Sequence, residues 1–247
     1  MKSVSSRVAG ALALMVATAL VVTCLCSPWG SACAANLSLG GTSGMLMTPT
    51  ADVAEDRSLA AGASFVEKKW AVEYRGAHDN VAYFVTLGYL PRLEVSMRLT
   101  VFPGTSYSLE EPNRSVKDRM LSVKVLALRE SGLRPALALG SEDLTGTKRF
   151  NTLFAVASKG LSLGRAGPIR LHLGAGTDWI EAKNHHLDGV FGGIAKSLWK
   201  GGELLAEYDT NKVNVGLRVE PVRYVTLLVS LLNAESFAGA AQVNLRL

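Results

Sequence analysis

The chain has 247 residues, 48% of them hydrophobic and 19% charged, with a formal net charge of +5. A charge this small gives no nucleic-acid footprint, and the charged fraction sits below the ~25% usual in soluble domains. All the cysteines, Cys24, Cys26 and Cys33, lie near the start, so nothing downstream supports a disulfide framework or a thiolate metal site.

Lys2 and Arg7 precede an apolar run from Val8 to about Leu25, followed by the small residues Ser31, Ala32, Cys33, Ala34 and Ala35. This order predicts a secretory signal over residues 1–35, cleaved after Ala34 or Ala35. Loss of Lys2 and Arg7 with it lowers the charge to about +3. The alternatives are an uncleaved membrane helix and a lipoprotein acylated at Cys33 or Cys24. In residues 36–57, Pro49 between Thr48 and Thr50 fixes an extended or turned path. That segment either leads into the first strand, the favoured reading, or lies inside the fold as a plug.

Residues 58–247 are expected to form one β domain. Strands are predicted at 58–66, 80–90, 93–102, 119–128, 134–143, 149–158, 169–179, 188–198, 203–208, 213–219, 224–232 and 238–247, with a weaker one at 70–74. Alternation is cleanest in Leu93-Glu94-Val95-Ser96-Met97-Arg98-Leu99-Thr100-Val101, where one face is aliphatic and the other carries charge. Charged groups are too costly for a dry core unless paired, so the polar face must meet water or partners. Connections alternate in length: short turns such as 90–92 and 200–202 separate longer polar stretches such as 103–117 and 180–187. Short turns at one end and longer loops at the other are the habit of outer-membrane barrels.

The fold predicted is therefore all-β, an antiparallel transmembrane β-barrel of about 12 strands behind a cleaved signal peptide. A soluble periplasmic β-sandwich acting as a binding protein produces the same alternation with the apolar face turned inward. Glu94, Arg98, Lys124, Arg170, His172, Glu207 and Arg218 are predicted to line the barrel interior as pore-lining residues. With charges of both signs there, a closed or gated barrel is expected rather than an open porin. Tyr89, Phe102, Trp179, Trp199 and Tyr208 are candidates for aromatic girdles.

Three motifs carry a family resemblance. Gly41-Thr42-Ser43-Gly44-Met45-Leu46-Met47-Thr48-Pro49-Thr50-Ala51, then Asp143-Leu144-Thr145-Gly146-Thr147-Lys148-Arg149-Phe150, then Glu207-Tyr208-Asp209 followed by Asn214-Val215-Gly216-Leu217, occur in that order. Together they resemble the YjbH-type outer-membrane proteins associated with exopolysaccharide production. The resemblance implies a β-barrel linked to surface polysaccharide and supplies no active site. On their own chemistry, Asp143 to Thr147 reads as a turn, and the inward Glu207 and Asp209 are expected to pair with an interior Arg or Lys.

No catalytic residue, metal or cofactor is expected, and the chain is read as a non-enzyme. Partners expected are outer-membrane lipid, with polysaccharide and periplasmic export proteins alongside it, and no nucleic acid. A barrel hydrolase acting on lipid is the enzymatic alternative; it would need His172 beside a serine such as Ser96 or Ser230 and a carboxylate such as Glu94 or Glu207. His185-His186 beside Asp188 reads as a solvated loop, since neighbours on an extended chain point to opposite sides.

Overall fold

The computed structural model describes residues 36–67, 72–73, 76–77, 79–102, 116–162, 164, 167–178 and 187–247. Within it, twelve strands close into one antiparallel barrel in which each strand pairs with its sequence neighbours and the first with the last. They are β1 (Ser58–Val66), β2 (Asn80–Gly88), β3 (Leu93–Phe102), β4 (Val116–Leu128), β5 (Ala136–Gly146), β6 (Thr152–Ser162), β7 (Pro168–Thr177), β8 (Gly189–Trp199), β9 (Gly202–Tyr208), β10 (Val213–Val222), β11 (Val225–Leu232) and β12 (Ser236–Arg246). Closure pairs Ser58 with Arg246 and Val66 with Ala238, leaving no free sheet edge in the wall. In the connection from β1 to β2, residues 72–73 pair with 76–77; the rest of the weaker strand predicted at 70–74 lies outside the described residues.

Burial follows the alternation with the usual sense reversed. Met97 is 63% exposed and Leu173 64%, whereas Glu94 and Lys124 on the opposite face are each 1% exposed. Val215 stands 45% exposed on β10 while its neighbour Asn214 is fully buried. A sandwich would seal Val215 between layers, so that alternative is overturned. The aliphatic side chains form an outer belt, with Tyr89 and Trp199 exposed toward one end and Tyr83 and Tyr208 toward the other. Phe102 departs from the girdle expectation because its parity on β3 turns it inward, and Trp179 lies outside the described residues.

Both the start of β1 and the end of β12 lie at one end of the barrel, here the terminal end. Its connections, 89–92, 129–135, 163–167, 200–201 and 223–224, are shorter on the whole than those of the opposite, loop end, which include 67–79, 103–115 and 178–188.

The hairpin of β5 and β6 is where the strand ends moved most. The turn predicted from Asp143 to Thr147 is instead an irregular continuation of β5 to Gly146, with a register shift against β4 between Leu121 and Val123. Asp143 takes up the distortion with φ at 50°, in the left-handed region. Its carboxylate accepts the Phe150 N–H at 3.1 Å, and its carbonyl accepts Asn151 Nδ2 at 3.1 Å. Local side-chain-to-backbone bonds of this kind stabilise a conformation the bare chain disfavours.

Candidate functional site: an internal plug and its polar cradle

Residues 36–57 do not merely lead into β1. They fold within the barrel, where Leu37, Leu39, Met45, Leu46, Ala51 and Ala54 are buried. Backbone bonds shape the segment: Leu39 N–H donates to Leu46 at 2.8 Å, Met45 N–H to Thr48 at 2.9 Å and Thr50 N–H to Ser43 at 3.2 Å. Leu39, Met45 and Leu46 pack against Leu205, Leu228, Leu232 and Ala238 of the wall, and Ala51 against Phe154, Val156 and Phe191. Two wall glycines make this approach possible. A Cβ on Gly193 would sit 2.6 Å from Met45 Sδ, and one on Gly216 would sit 2.7 Å from Leu46 Cδ2.

Charged wall residues complete the contact. Glu207 on β9 accepts backbone N–H groups from Leu46 (3.1 Å), Met47 (2.7 Å) and Thr48 (3.2 Å), together with the Thr48 hydroxyl (2.8 Å) and Asn214 Nδ2 (3.0 Å). The same Asn214 amide donates to Asp209 at 2.9 Å. No Arg or Lys pairs with Glu207 among the described residues, contrary to the expectation for this motif; converging N–H groups satisfy its oxygens instead. Glu94 on β3 plays the same part for the other half of the segment. It accepts the N–H of Ser43 at 2.8 Å and of Ala54 at 2.7 Å, and the Ser43 hydroxyl as well. Lys124 on β4 donates to the Ser43 carbonyl at 2.6 Å and sits 3.5 Å from Glu94. Arg218 on β10 donates to the carbonyls of Gly44 (2.6 Å) and Met45 (3.0 Å) while pairing with Glu203 at 3.0 Å.

At the terminal end Arg170 grips Asp52 at 2.6 and 3.1 Å and Glu130 at 3.1 Å. A cavity of about 560 Å³ opens here, lined in part by Asp52, Glu55, Arg57, Arg129, Glu130 and Arg170. Glu130 lies in the turn from β4 to β5 and also pairs with Lys159 at 3.0 Å. The hydrogen bond from Lys159, the Gly160 N–H and the positive charge of Arg170 hold the Glu130 carboxyl below its ordinary range, against a smaller opposing effect of burial.

His172 on β7 bonds Ser158 Oγ through Nδ1 at 2.7 Å, and Ser158 Oγ in turn accepts the Ala51 N–H at 2.8 Å. Neither Ser96 nor Ser230, the serines named with His172, is its partner; they donate to the carbonyls of Gly41 and Ala238. Arg98 faces inward as well, over the Phe150 ring at 6.0 Å and against Met120 Sδ, with no carboxylate partner among the described residues. The acids near this stretch bond elsewhere through one oxygen each: Asp118 accepts the Thr147 hydroxyl and Asp143 the Phe150 N–H.

The seven candidates thus lie on the inner face, and six of them hold the plug directly or through Ser158. What the sequence alone did not show was the other half of each contact: Ser43, Thr48, Asp52, Ser158 and Asn214. Ser158 was legible by parity, two residues after inward Val156, but nothing in the alternation identified what it would meet. His185 and His186 lie outside the described residues.

A family model described as exopolysaccharide biosynthesis protein YbjH (YjbH) matches residues 37–187. The chain belongs to the YjbH family. A curated relative, the uncharacterized lipoprotein YjbH of Escherichia coli K12, is 29% identical over 143 residues, which cover 57% of this chain and 18% of that protein. The chain therefore matches less than a fifth of the length of this curated relative. Among solved structures it is similar to outer membrane phospholipase A from Escherichia coli, at TM-score 0.38 and 15% identity, over 78% of this chain and 96% of that one. The Salmonella typhi outer membrane phospholipase dimer with bound calcium is similar at TM-score 0.37 and 16% identity, over 77% and 91%.

In this YjbH family member the motif stretches gather around one object. Gly41 to Ala51 is the plug; Glu207, Asp209 and Asn214 clamp its Leu46 to Thr48 turn; and Phe150, closing the second motif, lies beneath Arg98, whose guanidinium approaches Gly40. Gly41 itself has φ of 87° and places its α-carbon against Phe84, where any Cβ would lie 2.5 Å from the ring's own Cβ.

Proposed function

We propose that the chain is a non-enzymatic barrel of a Gram-negative outer membrane, closed by its own N-terminal segment, that serves exopolysaccharide export or envelope assembly. The observation that carries this reading is the reversed burial of the wall. An aliphatic belt around a polar, partner-filled interior is stable where acyl chains replace water outside. The family supports the polysaccharide link. The terminal end then faces the periplasm and the longer loops face outward. Fractionation of intact envelopes tests the location, with recovery in the outer-membrane fraction and heat-modifiable gel migration expected. Loss of surface polysaccharide on deletion of the chain tests the role. Recovery as a soluble periplasmic protein, or unchanged polysaccharide, would overturn the corresponding half.

The contact of Ser158 with His172 favours a second reading, a barrel hydrolase. Against it, Ser158 is sealed beneath the plug with its oxygen already accepting the Ala51 N–H, so no substrate carbonyl can reach it while the plug is seated. Labelling of Ser158 by a fluorophosphonate probe, lost in Ser158→Ala, would turn the decision to the enzyme.

A further inference from the structure

Of the outward-facing side chains on the described strands, those with charge are Lys117 and Arg119 on β4, Lys159 on β6 and Lys196 on β8. Lys159 is neutralised by Glu130 in the terminal-end turn, and Lys196 stands three residues before Trp199 at that same end. Lys117 and Arg119 are different. They stand at the loop end of β4, exposed, two residues apart on one face, and neither makes an ion pair or side-chain hydrogen bond among the described residues.

Their surroundings change abruptly along the strand. Leu121, Val123 and Val125 continue the same outward face toward the middle of the barrel, and on β3 the cross-strand partners of Lys117, Arg119 and Leu121 are Val101, Leu99 and the exposed Met97. A third cation adjoins them from the next connection. Thr147 N–H donates to the Arg119 carbonyl at 3.3 Å, and the side chain of the following Lys148 is exposed and likewise makes no ion pair or hydrogen bond among the described residues. Among the described residues the nearby acids Asp118 and Asp143 give no relief, because they are buried on the inner side of the wall.

We infer that Lys117, Arg119 and Lys148 form a binding site for the phosphorylated headgroup of an outer-leaflet glycolipid, whose acyl chains lie along Leu121, Val123 and Met97. The inference rests on the reading that the barrel spans an outer membrane with its loops outward. Uncompensated cations at the boundary between acyl chains and headgroups attract anionic lipid. Guanidinium and ammonium groups together match phosphate oxygens, the first by its planar fork and the second as a point charge. An unattached phosphate would use only the cations; the aliphatic strip directly below them favours an amphiphile.

The test is native mass spectrometry of the detergent-purified full chain with bisphosphorylated lipid A and with the same lipid stripped of both phosphates. Wild type is expected to retain the phosphorylated lipid about five-fold more or better. The variant Lys117→Gln/Arg119→Gln/Lys148→Gln should fall to the level of the stripped lipid, and Lys196→Gln at the other end should not. Equal retention of both lipids by wild type, or a triple variant that still prefers phosphate, overturns the site. If the triple variant does not fold, wild-type adducts must disappear between low and high salt, and salt-insensitive adducts overturn it too. Failure of the wild-type protein to insert into phosphatidylcholine vesicles would instead defeat the membrane reading on which the site depends.

Discussion

Glu207→Gln is the substitution that most directly tests how the plug is held, because it keeps size and shape while reversing the polarity of one carboxylate oxygen. Oε2 accepts from Leu46 N–H, Thr48 N–H and the Thr48 hydroxyl; Oε1 accepts from Met47 N–H and Asn214 Nδ2. Glutamine must direct its NH₂ at one of these sets, and the less costly choice is the Oε1 side. Two donors then face a donor, in a site closed to water. At about 1–3 kcal/mol for each buried donor left unsatisfied, the seated plug loses about 2–6 kcal/mol. Even the lower figure corresponds to a roughly thirty-fold larger equilibrium population of the open plug. Hydrogen exchange read at the Leu46, Met47 and Thr48 amides should accelerate by that factor while the amides of β9 and β10 stay protected. Unchanged protection at these three amides, in a variant whose barrel still shows heat-modifiable migration, would refute the clamp.

Three further outcomes are expected. Lys124→Met should destabilise the fold by about 3–5 kcal/mol, because it strips Glu94 of its buried cation, whereas Arg98→Leu should cost less, since among the described residues Arg98 has no carboxylate to orphan; denaturant unfolding of both variants in one detergent checks the order. Gly41→Ala should cost about 1–3 kcal/mol in the same assay, from a strained positive φ and the collision with Phe84. Glu130 has a folded-state carboxyl held below its ordinary value of 4.5, so its contribution to stability is present above that pH and is lost as pH falls through the depressed value. Melting followed from pH 6 downward should therefore be steeper for wild type than for Glu130→Gln; parallel curves would show that the cluster with Lys159 and Arg170 contributes nothing.

The wall was readable because a period of two is a direct imprint of a surface with unlike sides. Leu93 to Val101 disclosed both the strand and the set Glu94, Ser96, Arg98 and Thr100 that shares its inner face. Alternation carries no information about what the inner face meets, and so for residues 36–57 the lead-in was favoured over the plug. Residues 36–57 have no period because they form neither strand nor helix; their order comes from turns, from hydrogen bonds to distant carboxylates and from glycines placed opposite on the wall. For the same reason Glu207 invited an ionic partner in sequence, when a single carboxylate can be satisfied as fully by N–H groups of a turn more than 150 residues away, as the separation of Met47 from Glu207 illustrates.

That long separation bears on how the molecule comes to be closed. The plug precedes every strand, yet its clamps lie on β3, β4, β7, β9 and β10, so they converge only when the wall has curled far enough to bring them to one axis. Until then Glu94, Lys124, Glu207 and Arg218 remain hydrated, and their desolvation is deferred to the moment when partners are at hand. The pairing of β1 with β12 is antiparallel backbone bonding between Ser58–Val66 and Ala238–Arg246, with mostly small side chains, Ala61, Ala63, Ala240 and Ala241, along much of the seam. Such a seam gains little from side-chain packing of its own. Seating the plug against β9 and β10 while its chain runs directly into β1 draws the two ends of the wall together, and thus ties closure of the barrel to closure of its channel.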